Sequence, residues 1–252
     1  MAGHSKWANI KHRKGAQDKK RAKQFTRAIK EISVAVKEGG GADPEANPSL
    51  RNAISNAKGV NMPKDTIDRA IKKASGADAD NYETVSFEGY GPNGIAIFVE
   101  CTTDNTNRTV ASVRSIFTKN GGSLGTNGSL EFLFDKKGVF VLEKEKIEMN
   151  LEEFELELIE GGATKIEKED DLITVYTDFN DFGLMSSKLE ELNIETKSSE
   201  VQRIPLNTVE LPVEDAKNIL NVIEKFEDDE DVQNVYHNLE ITDELIEAID
   251  ED

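Results

Sequence analysis

Three stretches near the start of the chain each carry one apolar stripe at helical spacing, and none of them could bury that stripe alone. From Asp18 to Lys37 the apolar positions are Phe25, Ala28, Ile29, Ile32, Ala35 and Val36, a 3.6-residue period closed by Gly39-Gly40-Gly41. "NPSLRNAISNAKG" follows, with Asn47 as N-cap, Pro48 in the first turn and Gly59 as the stop. "MPKDTIDRAIKKASG" repeats the plan, with Pro63 at its start, Ile67, Ala70, Ile71 and Ala74 as the stripe and Gly76 at its end. The pattern predicts three helices packed as a small bundle over residues 1–76.

After Gly76 the apolar period shifts towards strands. "NYETVSFEGYGPNGIAIFVECTTD" reads as two strands joined by a turn, and "NRTVASVRSIFTKNGG" as a helix with Val110, Val113, Ile116 and Phe117 inward. Ser129–Phe134 reads as another strand. "KGVFVLE" is a strand, Leu151–Ile159 a helix, "DLITVYTD" a strand, "FGLMSSKLEELN" a helix, and "IETKSSEVQRIP" a strand ending at Pro205. This middle run is nearly a complete ferredoxin-like split β-α-β sandwich. "NTVEL" as a strand, "VEDAKNILNVIEKFEDD" as a helix and "VQNVYHNLEI" as a short strand or turn extend an α/β domain that the middle one interrupts. The expected fold class is α+β and multi-domain: a helical bundle plus two α/β sandwich domains, one ferredoxin-like and inserted in the other. The expected boundaries are 1–76, then 77–134 with 206–252, then the insert 135–205.

Charge divides the same chain differently. Its 252 residues hold 31 Lys+Arg against 49 Asp+Glu, a formal net of −18. Yet residues 1–30 carry ten basic residues and one acid, Asp18. Through Ser75 the net is +10, leaving −28 for the remainder. Clustered cations neutralise phosphates and release counterions, so the leading segment points to DNA or RNA. The candidate contacts are Lys6, Trp7, Lys11, His12, Arg13, Lys14, Lys19, Lys20, Arg21, Lys23, Arg27 and Lys30. Trp7, between Lys6 and Lys11, could stack on an exposed base or anchor the tail to the bundle. The acidic runs, such as "EDDED" at 227–231 and the tail from Asp243, read as solvated faces that would be repelled by a polyanion.

Other chemistry finds little support. "GYGPNG" matches a dinucleotide fingerprint at Gly89, Gly91 and Gly94, but a strand follows it rather than a helix, so it reads as a turn. In "TTDNTNRT", Asp104, Asn105 and Asn107 suit an N-cap, with Arg108 offering an alternative role towards phosphate. "NGGSLGTNGS" lacks the lysine of an NTPase phosphate loop and reads as a flexible connection. His4, His12 and His237 have no partner at metal spacing, and no catalytic constellation stands out, so no metal, cofactor, small-molecule substrate or enzymatic role is expected. A single cysteine, Cys101, within an apolar strand pattern, reads as a buried thiol in a reducing cytoplasm. No apolar run is long enough for a bilayer span, and none follows the basic start as a secretory signal would require.

Several long stretches carry a family resemblance: "AGHSKWANIKHRK", "NPSLRNAI", "NMPKDTIDRAIKK", "FEGYGPNGIAIFVECTTDNTNRT" and "GGSLGTNGS". Together they resemble the YebC/PmpR family, whose relatives include the mitochondrial translational activator of cytochrome oxidase. The resemblance implies three domains, a helical one followed by two α/β domains with one inserted in the other. It implies a cytoplasmic transcriptional regulator that binds DNA, or, as for some members, a ribosome-associated translation factor that contacts ribosomal RNA and helps difficult sequences such as proline runs through synthesis. The middle domain departs from the pattern in being unusually acidic, in "EKEKIEMNLEEFELELIEGG".

Overall fold

The computed structural model describes residues 17–77, 79–169 and 171–250. Along the chain run α1 (Gln17–Glu38), α2 (Pro48–Gly59) and α3 (Lys64–Ala74), then β1 (Glu83–Tyr90), β2 (Ala96–Thr103), α4 (Thr106–Lys119) and β3 (Ser123–Leu124). Next come β4 (Phe134–Glu143), α5 (Leu151–Glu160), β5 (Ala163–Lys168), β6 (Leu172–Asp178), α6 (Phe182–Glu191) and β7 (Thr196–Pro205). The chain ends with α7 (Val213–Glu227), β8 (Val232–His237) and α8 (Asp243–Asp250). The fold is mixed α+β and multi-domain, with helices first and two antiparallel sheets after them. Its residues gather into two compact units. Among the described residues, the first holds residues 17–27, 80–135 and 204–250, and the second holds those within 28–79 and 136–203.

The first unit is built on a sheet of order β3-β1-β2-β8. Its central hairpin turns at Pro92-Asn93-Gly94, where Asn93 (φ 57°) and Gly94 (φ 73°) take the left-handed conformation that asparagine and glycine tolerate best. The Gly91 amide closes the turn on the Ile95 carbonyl at 2.8 Å, so "GYGPNG" is hairpin chemistry. β2 is buried on both faces, which explains the apolar run from Ala96 to Val99. On one side Ile95, Ile97, Val99 and Cys101 pack under α4 and α7, whose Phe117 and Phe226 rings meet at 4.7 Å. On the other, Ala96, Phe98 and Tyr236 meet Leu130 and Phe134.

Residues 129–134 were expected as a strand and are not one. Glu131–Leu133 form a short 3-10 turn and the strand begins only at Phe134. The cause is the Glu88 carboxylate on β1, which is buried and accepts the amides of Gly128 (2.7 Å) and Leu130 (2.5 Å). A buried carboxylate must be satisfied, and here the chain curls round it instead of extending. The "NGGSLGTNGS" connection is therefore fastened to the sheet. "NTVEL" contributes only an isolated bridge, Val209 to Leu239. The acidic tail, read as a solvated face, forms α8 and buries Leu245.

The second unit contains a β-α-β-β-α-β run whose sheet order β5-β6-β4-β7, antiparallel at β5-β6 and β6-β4, is that of a ferredoxin-like sandwich. The strand that the sequence pattern lacked is β5, "ATKIEK", an edge strand too charged to show an apolar period. Phe140, Leu142, Phe154, Leu158, Ile173, Val175, Met185 and Leu189 form its core under α5 and α6.

Helix α2 covers the opposite edge strand, β7. Asn56 makes this contact in the manner of a neighbouring strand. Its Oδ1 accepts the Ser199 amide at 2.8 Å and its Nδ2 donates to the Ser199 carbonyl at 3.0 Å. The same Nδ2 donates to a Glu31 carboxylate oxygen at 2.8 Å. Asn47 joins α1 to α2: its Oδ1 caps the Leu50 amide at 3.0 Å, and its Nδ2 donates to the Ala35 and Gly41 carbonyls, both at 2.8 Å.

Burial, helped by the nearby Glu200 charge, pushes the Glu31 carboxyl up to about 7; the Asn56 hydrogen bond opposes the shift. A carboxyl raised in the folded state contributes stability that is full below the unfolded value near 4.5 and is lost as pH rises through about 7. Glu31→Gln should therefore narrow the difference in urea-unfolding stability between pH 5 and pH 8 by about 2–3 kcal/mol, with the gain at pH 8. An unchanged difference would show that Glu31 ionises freely in the fold.

Candidate nucleic-acid interface

Lys6, Trp7, Lys11, His12, Arg13 and Lys14 lie outside the described residues. Lys19 and Lys20 fall in the first turns of α1, where the backbone alone is described. The other candidates separate by environment. Arg21 is exposed, with its guanidinium 5.3 Å from the centre of the Phe25 ring. Lys23 pairs with Asp228 at 2.8 Å. Arg27 donates through Nε to the Val232 carbonyl and through a terminal nitrogen to the Glu227 carbonyl, both at 3.1 Å. Lys30 is buried, 6% exposed. From Arg21 to Lys30 the candidate cations pass from solvent-exposed to protein-held.

The acidic run 227–231 takes part in this arrangement, which corrects its reading as a solvated face. Besides the contacts to Lys23 and Arg27, Asp229 receives the Ser112 hydroxyl. Asp231 is buried, and its Oδ2 accepts from Arg108 at 2.7 and 3.2 Å, from the Thr109 hydroxyl at 2.9 Å and from the Thr103 hydroxyl at 3.3 Å. Arg108 also donates to Asp104 at 2.9 Å, and its guanidinium is held still more firmly protonated by Asp231 and Asp104. The arginine offered as a phosphate ligand is thus engaged by two carboxylates. Asn105 is the N-cap of α4, its Oδ1 accepting the Arg108 amide at 3.1 Å.

Sequence reasoning passed over the cations of the second unit. Lys58 on α2 and Lys64, Arg69, Lys72 and Lys73 on α3 are exposed, away from the buried Ile67 and Ala70. Their signal was present in the spacing, since they occupy the polar face of the same helical period. Two of them, Lys72 and Lys73, also complement the dipole at the end of α3. Among the described residues no group of His, Cys, Asp and Glu could hold a metal ion, and no helix is long and apolar enough to cross a membrane.

A family model described as the TACO1/YebC protein N-terminal domain matches residues 5–77, and one described as the TACO1/YebC second and third domain matches residues 82–239. The chain belongs to the TACO1/YebC family. Curated relatives named "Probable transcriptional regulatory protein" occur in Amoebophilus asiaticus, 52% identical over 95% of this chain and 98% of the relative, and in Magnetococcus marinus, 51% identical over 99% of each. A crystal structure of a conserved hypothetical protein from Aquifex aeolicus is similar in fold, with a TM-score of 0.78 and 37% identity over 88% of this chain and 91% of that one. The curated relatives named here carry regulatory names. The TACO1/YebC match includes the segment from residue 5 that carries the first cations, and it places the hairpin, the Glu88 loop and the ferredoxin-like run in the second and third domains.

Proposed function

We propose that this TACO1/YebC chain is a cytoplasmic regulator of transcription that grips DNA through the cationic leading segment of its N-terminal domain. The observation that carries the reading is the charge division, ten basic residues against one acid in residues 1–30 of a chain whose net is −18. The relatives' names support it. In this reading Lys6, Lys11, Arg13, Lys14, Lys19, Lys20 and Arg21 meet phosphates, and Trp7 and His12 approach bases or sugars. Lys23, Arg27 and Lys30 seat α1, since their environment is protein. The anionic remainder is held off the polyanion by repulsion.

The test is a filter-binding titration of the full chain and of Lys19→Glu with Lys20→Glu, on duplex DNA and on folded ribosomal RNA. Both substitutions lie early in α1, before the residues that contact 227–232, so the fold should persist. Affinity for duplex should fall about tenfold or more, because two phosphate contacts become repulsions. Unchanged affinity on both ligands removes the assignment. A wild-type preference for the RNA moves the target to the ribosome.

A further inference from the structure

Helix α5 carries large aliphatic side chains on the face that should be polar. Phe154 and Leu158, four residues apart, are fully buried against Phe140, Leu142 and Met185. Leu156 lies half a helical turn away on the opposite side, and Ile159 stands three residues on from it, over the same outward surface. They are 63% and 58% exposed. A soluble amphipathic helix puts charge there, and neighbouring exposed aliphatics mark a contact surface.

The surroundings of this pair are anionic. The ten residues of α5 include five glutamates and no basic residue. Three of these are compensated: Glu155 by Lys168, and Glu157 and Glu160 by Lys188 at 2.9 and 3.4 Å. Glu152 and Glu153, both exposed and flanking the aliphatic pair, have no cation beside them among the described residues.

We propose that the outward face of α5 docks a lysine- and arginine-rich amphipathic helix of a protein partner. Leu156 and Ile159 receive its apolar residues at i and i+3 or i+4 spacing, and Glu152 and Glu153 receive its cations. Charge complementarity selects this occupant. Nucleic acid would meet uncompensated carboxylates, and a second copy packed through the same face would bring like charges together. The surface is independent of the basic leading segment, so its test stands or falls separately from the DNA reading.

The probe is a synthetic lysine–leucine helical peptide of about 18 residues, beside a peptide of the same composition with its apolar period scrambled. Both are titrated against the full chain, with hydrogen exchange as the footprint. The periodic peptide should protect the α5 amides. Its affinity should fall at least tenfold with Leu156→Ser plus Ile159→Ser, and several-fold with Glu152→Lys plus Glu153→Lys. All four residues are exposed, and circular dichroism and melting confirm that each variant folds. Equal affinity for the two peptides, or for wild type and the serine variant, overturns the proposal. Self-association of the wild type that the serine substitutions abolish would reassign the face to a second copy and overturn it as well.

Discussion

Gly59→Ala is expected to destabilise the second unit by more than about 3 kcal/mol. A Cβ built at Gly59 would stand 1.9 Å from the Lys197 carbonyl oxygen and 2.9 Å from its carbon, so backbone would have to move. The close approach is what lets α2 seal the β7 edge through Asn56 and through the Ser55 and Thr196 hydroxyls, 3.0 Å apart. Moving α2 outward would leave the Ser199 amide and carbonyl without their partner, and buried polar groups without partners are costly. Gly183→Ala is the control. It lies within α6 with no heavy atom within 4 Å of the new methyl, so the gain in helix propensity should stabilise by about 0.5–1 kcal/mol. Urea unfolding of the pair should show opposite signs. A Gly59→Ala variant as stable as wild type would mean that α2 does not approach β7 this closely.

Asp231→Ala should cost about 1–3 kcal/mol in the first unit. One carboxylate oxygen there satisfies Arg108 and the hydroxyls of Thr103 and Thr109, of which both threonines are buried. The Asp231 carbonyl also accepts the Thr102 amide at 2.8 Å, which fixes the loop to the end of β2. Without the side chain Arg108 keeps Asp104 and the Thr109 hydroxyl keeps the Asn105 carbonyl, so the loss falls mainly on the buried Thr103 hydroxyl and on the shared network. Asp231→Asn keeps an acceptor without the charge and should fall between wild type and alanine. Thermal melts would check the order. Equal melting of the alanine variant and wild type would contradict the role given to this carboxylate.

What the sequence made legible was whatever repeats with a period. The stripes of α1, α2 and α3, the β1–β2 hairpin with its Pro-Asn-Gly turn, and the α5 and α6 pattern are local, and local rules govern them. The misread elements were decided by partners far away in the chain. Glu88 captures the amide of Leu130 from 42 residues away and turns an expected strand into a loop. Asn56 reaches Ser199 across 143 residues, and Asp231 reaches Arg108 across 123. Such contacts leave no mark in hydropathy. β5 failed for a different reason: as an edge strand it protects itself with lysine and glutamate, which removes the apolar alternation that would announce it.

The candidate interface was legible as a sum but not residue by residue. Net charge identifies a cationic segment. It does not say that Lys23 faces Asp228, that Arg27 is bound to two carbonyls, or that Lys30 is buried. Nor did the acidic run 227–231 announce that it serves as a seat, because a buried carboxylate and a solvated one look alike in a composition count.

The salt dependence of duplex binding tests the division of charge most directly. The full chain should be compared with a variant carrying glutamine at Lys6, Lys11, Arg13, Lys14, Lys19 and Lys20. With about six of the seven proposed cations on phosphate at once, log K should fall against log salt with a slope near −5 for the wild type, and that slope should flatten to about −1 in the variant, which keeps Arg21. A slope near −5 retained by the variant, or a wild-type slope near zero, would contradict the account.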